Sequence, residues 1–372
     1  MNAPDWAAIR REFPTLETWT YLDTARKAPL PRCVEAATRE FFDDVNVNAG
    51  DDVWSPEAVE SSRAVMARVL GAPVESIAFV KNTTEGLNIA SHALDLAPGD
   101  NIVITDMEHR ANLWVWDHWR ERGVTIRTVR NRDGRLPLEA FMEKIDDSTR
   151  VVATAWVTYR NGYRVDLPAL GKICREHGAH LVVDAVQGAG LIDVPLQDLG
   201  ADFISCGGHK HLLGLTGTGI LYMRPEFLAT ARAGITKTPS YFTANPHAAR
   251  ERYDQHRFES GNPNFLGLRV LRRSAEFIES IGLSNIEARV RELTGTLLDM
   301  LKARRIRTQT PENWHERCQI VNVLIDADAD KLAANLHERR IAVNVKDGIL
   351  RVSMSFCNNE QDLETLLRAL PA

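Results

Sequence analysis

The stretch HLVVDAVQ, His180–Gln187, runs apolar up to a carboxylate, Asp184, and sets an amide, Gln187, three residues further on. A short strand with no polar alternation is buried on both faces, as strands are inside a parallel sheet covered by helices. A carboxylate closing such a strand lies where open parallel sheets bind ligands, at the carboxyl ends of their strands. Held away from bulk water, it needs a cationic partner.

The surrounding chain repeats this pattern. From Ile77 to Met223 short apolar runs alternate with longer amphipathic ones: IAFV then TEGLNIASHAL, NIVI then ANLWVWDHWRERG, TIRTV then LEAFMEKI, RVVATAWV then LPALGKICREHG, followed by HLVVDAV, ADFISC and GILYM. That alternation is the signature of strand–helix units around a mostly parallel sheet, and it predicts an α/β domain. After about Pro263 the pattern changes to long helical stretches, FLGLRVLRRSAEFIESIG and SNIEARVRELTGTLLDMLKARR, and the strand-like runs IVNVLI, IAVNV and LRVSM come late. We therefore expect a large domain over residues 21–255 and a smaller α+β domain built from residues 1–20 with 256–372. Between Arg232 and Asn262 the periodicity is weak and a long loop is expected.

Length and composition fit two domains better than one: 372 residues, 44% hydrophobic. The net charge of −5 is spread along the chain, without the basic stripe that nucleic acid or anionic lipid would require. Five scattered cysteines with no CxxC pair argue against a disulfide framework and against a thiolate metal site, so a reducing cytoplasm is expected. The N-terminal MNAPDWAAIRREFP is too charged for a signal peptide, and no run approaches the ~20 apolar residues of a membrane span. The expected partner is a small molecule.

Two further stretches fall at strand ends. In SCGGHKHLLGLTGTG, Ser205–Gly219, Lys210 stands between His209 and His211 and is flanked by glycines. A lysine in a desolvated, cation-rich pocket loses basicity and becomes a nucleophile toward aldehydes. In FVKNTTEGLNIA, Thr83 and Thr84 open a helix, where free backbone N–H groups and hydroxyls bind phosphate. An aldehyde for Lys210, a protonated pyridine nitrogen for Asp184 and a phosphate for Thr83 and Thr84 together describe pyridoxal 5′-phosphate.

With these motifs in place the chain resembles the class V aminotransferases of fold type I, a group that includes cysteine desulfurases and isopenicillin-N-epimerase-like enzymes. The resemblance runs through YLDTARKAPLP, NTTEGLNIAS, DMEHRANLWVW, VVDAVQGAG, GGHKHLLGLTGTGILYMR, RFESGNPN and LRVSMSFCNN. It implies a large domain with a mostly parallel seven-stranded sheet, Lys210 as the Schiff-base lysine and Asp184 as partner of the ring nitrogen. It further implies Gln187 at the phenolic oxygen, His109 stacked on the ring, and Thr83, Thr84 and His209 at the phosphate. Arg351 corresponds to the arginine that grips the substrate α-carboxylate. RFESGNPN, with Asn262, corresponds to a segment that reaches the neighbouring subunit's cofactor, so a homodimer with shared sites is implied.

Departures from the family pattern bear on the reaction. Desulfurases carry a nucleophilic cysteine shortly before the position of Arg351, and HERRIAVNVKDGIL has none. Cys357, after that arginine, reads as a buried apolar residue. Gly207 stands where serine is common before the lysine, leaving Ser205 or Thr216 to supply a phosphate hydroxyl, and Asn262 replaces threonine. Arg26 and Lys27 border the substrate position and could receive a second anionic group, as Arg160 and Arg164 could more remotely. Tyr159 stands where desulfurases often have asparagine. These features predict an aminotransferase, with a β-eliminating lyase or an epimerase as alternatives from the same chemistry. A non-catalytic regulatory domain is the third reading, and it would be expected to carry DNA-binding sequence.

Overall fold

The structure, a computed structural model, describes residues 3–228 and 255–370. Most of the expected Arg232–Asn262 loop lies outside the described residues.

The apolar runs form one seven-stranded sheet of β2 (Ile77–Val80), β3 (Asn101–Thr105), β4 (Thr125–Val129), β5 (Thr149–Ala155), β6 (His180–Asp184), β7 (Phe203–Gly207) and β8 (Gly219–Met223), in the order β2-β8-β7-β6-β5-β3-β4. β8 runs antiparallel to both β2 and β7, and the remaining pairs are parallel. Every residue of β2, β3, β7 and β8 is buried. That explains their unbroken apolar character, since helices cover both faces and leave no wet side to alternate toward. The edge strand β4 is mostly half-buried, with Thr125 exposed, and it carries the polar residues of TIRTV. The register sets Ala155 beside Asp184 and Asp184 beside Ser205, so β5, β6 and β7 end together.

The helix Thr83–Ala93 lies hard against β7. A Cβ on Gly86 would fall 2.2 Å from Ser205 Oγ, an approach that only glycine permits. This seats the helix N-terminus beside the end of β7. Asn82 caps the helix by accepting from Glu85 N, and Thr83 Oγ1 accepts from Gly207 N at 2.9 Å.

A second apolar cluster packs Leu293, Leu297 and Leu301 against Val321, Val323, Leu350 and Val352. Its sheet is antiparallel, in the order β11 (Asn344–Lys346), β12 (Ile349–Ser353) and β9 (Ile320–Leu324). The N-terminal strand β1 (Thr20–Tyr21) pairs with β10 (Ile341–Ala342), and Leu22 joins the same cluster. This pairing draws the Asp23–Lys27 loop, which follows β1, against the β12 strand that carries Arg351. The helix Phe265–Ile281 instead buries Leu268, Leu271, Ala275 and Ile278 in the core of the large sheet.

One guanidinium is fully buried among carboxylates. Arg63 is 0% exposed and donates to Glu259 at 2.6 and 3.1 Å, to both oxygens of Glu60 and to the carbonyl of Ile77. Glu259 also accepts from Phe79 N, which fixes the RFES segment to β2. With all five guanidinium protons matched, the desolvation cost of burying Arg63 is offset; with one carboxylate or the arginine removed it is not.

Candidate active site

The carboxyl ends of β3, β5, β6 and β7 open into a cavity of about 350 Å³ that collects most of the residues singled out above: Lys210, Asp184, Gln187, His109, Thr83, Thr84, His209, Tyr159, Arg26 and Arg351. Asn82, Ala155 and Asn344 line it too.

Asp184 closes β6 in a buried position, with Val186 N donating to its Oδ1 at 3.0 Å. Burial pushes its carboxyl pKa up, while that backbone donor and the charges of Lys210 and His109 pull it down. Lys210 answers with the opposite shift. Desolvation lowers its pKa to about 8, helped by Arg351 and opposed by Asp184 and Asp23. Near neutral pH this amine is much closer to its reactive form than a solvated lysine.

His109 caps the short helix Arg110–Trp114, its Nδ1 accepting from Ala111 N at 3.3 Å. The neutral ring therefore carries its proton on Nε2. Burial keeps that neutral form favoured, and Tyr159 meets the ring edge-on at 5.3 Å between centroids. Beneath lies Glu108, fully buried, which accepts from Thr105 Oγ1, Asn112 Nδ2 and Ala155 N at 2.7, 2.8 and 3.0 Å. Burial raises its pKa to about 7 against those donors. Glu108 thus ties the turn bearing His109 to the end of β5.

Gly207 lies close to the ring of His209. A Cβ there would lie 2.9 Å from Nδ1 of His209, which turns over the end of β7. Neither proposed replacement hydroxyl reaches the cavity. Ser205 Oγ donates to the carbonyls of Thr83 and Ile220, and Thr216 is exposed outside it. This corrects the expectation for both residues.

Arg351, central in β12, donates through Nη1 to the carbonyl of Tyr159 at 3.0 Å and through Nη2 to Asp23 at 3.2 Å. Its Nε is buried without a partner among the described residues. Arg26 stands at the cavity rim, exposed, whereas the adjacent Lys27 lies outside the lining, with its carbonyl accepting from Tyr21 Oη. Only one of the two neighbouring cations therefore faces the site. Arg160 is also exposed, and Arg164 is committed to Glu287 at 3.1 Å. Asn262 is not brought to the cavity; it lines a neighbouring groove with Lys81, Glu85 and Thr218.

None of the five cysteines lines the cavity: Cys174, Cys206, Cys318 and Cys357 are buried and Cys33 is half-buried elsewhere. In the stretch HERRIAVNVKDGIL, before Arg351, β11 and β12 form a tight hairpin. Lys346 pairs with Ile349 and only Asp347 and Gly348 turn between them, at φ 52° and 75°. Positive φ at both positions is the two-residue turn that suits strand twist, and it leaves no loop on which to mount a nucleophile.

Sequence reasoning overlooked Glu108, Asp23 and Asn344, and it did not single out Gln319, which is buried against Gln187. Glu108 and Asp23 sit inside the motifs DMEHRANLWVW and YLDTARKAPLP, whose mixed local pattern gives no sign of their burial.

The fold and the strand-end cavity define the fold-type I architecture. The chain belongs to the class V aminotransferase family, which it matches over residues 20–366. It is 29% identical to a probable cysteine desulfurase of Pyrococcus abyssi over 97% of this chain and 96% of that one. It is 25% identical to the uncharacterized aminotransferase YcbU of Bacillus subtilis, over 98% and 96%. Among solved structures, the apo cysteine desulfurase of Thermococcus onnurineus superposes with a TM-score of 0.88 at 28% identity, covering 99% of this chain and 97% of that one.

Proposed function

We propose that the protein is an aminotransferase acting at the Cα of an α-amino acid that carries a second anionic group. The observation that carries this reading is a lysine amine of lowered basicity facing a buried carboxylate in a cavity with no thiol. The cofactor of the family is pyridoxal 5′-phosphate, and the residues fit it. Lys210 offers a nucleophilic amine, Asp184 a buried carboxylate with one protein donor, and the helix beginning at Thr83 offers N–H groups beside a hydroxyl. The donor set is complementary to an aldehyde, a pyridinium and a phosphate.

When bound, the cofactor supplies an electron sink for charge developing at Cα. The protein residues do the rest. Asp184 stabilises a proton on the facing nitrogen because a buried carboxylate needs a cation. Lys210 Nζ, with a pKa near 8, accepts the Cα proton and can return it to a neighbouring carbon. Arg351, steadied by Asp23 and the Tyr159 carbonyl, grips the α-carboxylate, and Arg26 receives the side-chain anion. Thr83, Thr84 and His209 hold the phosphate. A homodimer, with the Asn262 segment toward the partner, is part of the proposal, and sedimentation of the loaded enzyme tests it.

The test is to add amino acids singly to the loaded enzyme and follow the cofactor spectrum. Acidic amino acids should convert the cofactor to its amine form with one equivalent of 2-oxo acid released. Arg26→Ala should raise KM for them about tenfold or more, the worth of a hydrogen bond between charged groups, and leave neutral amino acids unaffected. Unchanged KM for acidic substrates would refute the role of Arg26. A β-eliminating lyase is the second reading, favoured by the relatives named cysteine desulfurase and by the Tyr159 phenol beside His109 as a proton donor to a leaving group. Ammonia and pyruvate formed from a cysteine-type substrate without a 2-oxo acid acceptor would establish it instead.

A further inference from the structure

Gln187 reaches the cavity from the turn after β6, but its orientation is decided by partners from two other segments of the chain. Its Nε2 donates to the carbonyl of Ala25 at 2.8 Å, and its Oε1 accepts from Gln319 Nε2 at 2.8 Å. Gln319 is 0% exposed and does not line the cavity. It immediately precedes β9, and its own carbonyl accepts from Met354 N. The same Nε2 lies 2.8 Å from Nε2 of His211, the residue after Lys210.

The polarity of this chain runs one way. A carbonyl can only accept, so Gln187 must turn its NH₂ toward Ala25 and its oxygen toward Gln319. Gln319 must then present its NH₂, and His211 Nε2 must be a bare lone pair, with the ring neutral and its proton on Nδ1. A charged His211 would set an N–H against an NH₂. Burial agrees, driving the imidazole pKa down to about 3. Oε1 of Gln319 and Nδ1 of His211 are left without partners among the described residues. Reversing Gln319 would relieve that only by facing its oxygen against that of Gln187, or, if both turned, the oxygen of Gln187 against that of Ala25.

We propose that Gln319 and His211 are positioning residues that fix the amide of Gln187 with its remaining N–H toward the cavity. Donated to the phenolic oxygen of the cofactor, that N–H stabilises the ionised phenol and sets the pH at which the visible band of the loaded enzyme titrates. The relay also joins the Asp23–Lys27 loop, the turn after Asp184 and the segment after Lys210 through one residue of the C-terminal body. The effect on the cofactor rests on the reading given under the proposed function; the tautomer of His211 does not.

Two measurements test it. In cofactor-free wild-type protein labelled with ¹⁵N-histidine, His211 should be a neutral Nδ1–H tautomer throughout pH 5–9, a range on the order of that over which folded histidines titrate. An Nε2–H tautomer, or titration at the ordinary histidine pKa, would overturn the relay, and this arm needs no variant to fold. In the loaded enzyme, Gln319→Leu should move the visible-band midpoint by about one pH unit, whereas Gln319→Glu, which sets a carboxyl oxygen opposite His211 in place of the NH₂, should shift His211 to the Nε2–H form. A wild-type midpoint in a folded Gln319→Leu protein would refute the positioning role. Failure of wild-type protein to develop any visible band with pyridoxal 5′-phosphate would sink the functional reading instead, and the His211 tautomer would then decide the relay alone.

Discussion

Replacing Lys210 by methionine in the cofactor-free protein should raise its stability at neutral pH, and the gain should fade in alkali. The lysine pKa falls from 10.5 to about 8 on folding, because desolvation and Arg351 outweigh the attraction of Asp184 and Asp23. A lysine depressed in this way disfavours the folded state wherever it must stay protonated. The penalty is complete below pH 8 and disappears as pH rises through the interval to 10.5. The shift sets a ceiling of roughly 3 kcal/mol at pH 7, falling to roughly 1.5 kcal/mol at pH 9.5. Methionine keeps the apolar stem and drops the charge, so packing differences between the two side chains do not vary with pH. The assay is urea unfolding of both proteins at several pH values, with the difference between them plotted against pH. A difference that stays flat from pH 7 to 9.5, or one that moves in favour of the variant as pH rises, would refute the idea of a desolvated amine at position 210.

Two further outcomes follow from the packing. Arg63→Met leaves the carboxylate of Glu259, 13% exposed in its side chain, without its partner. It should cost about 3–5 kcal/mol in denaturant unfolding, and adding Glu259→Leu should recover much of the loss; a cost below about 1 kcal/mol would mean the cluster is not structural. Gly86→Ala drives a methyl into Ser205 Oγ and should cost about 1–3 kcal/mol, read as a lower Tm in a thermal scan. An unaltered Tm would show that the helix can back away from β7.

Much of the site was legible because its residues sit at the ends of apolar runs. Strand burial is a local signal, so HLVVD and DFISC announced both their strands and the positions where polar groups could face a ligand. Asp184, Lys210, Thr83 and His109 follow from that geometry and from the family motifs. Arg26 and Lys27 were indistinguishable by the same logic, since adjacent loop residues carry no periodicity to say which points inward. Glu108 was hidden for another reason: its three donors come from three places in the chain, Thr105, Asn112 and Ala155.

By itself, then, the amino-acid order determined the strands, the helix that opens at Thr83, the lysine and the carboxylate, because each depends on neighbours within a few positions. Only the folded chain decided that Gln319 would steer an amide 132 residues away, that Asp23 would brace an arginine 328 residues away, and that Asn262 would line a different groove from Lys210. Contacts of that reach are set by sheet order and by the pairing of β1 with β10. Local periodicity carries no information about either.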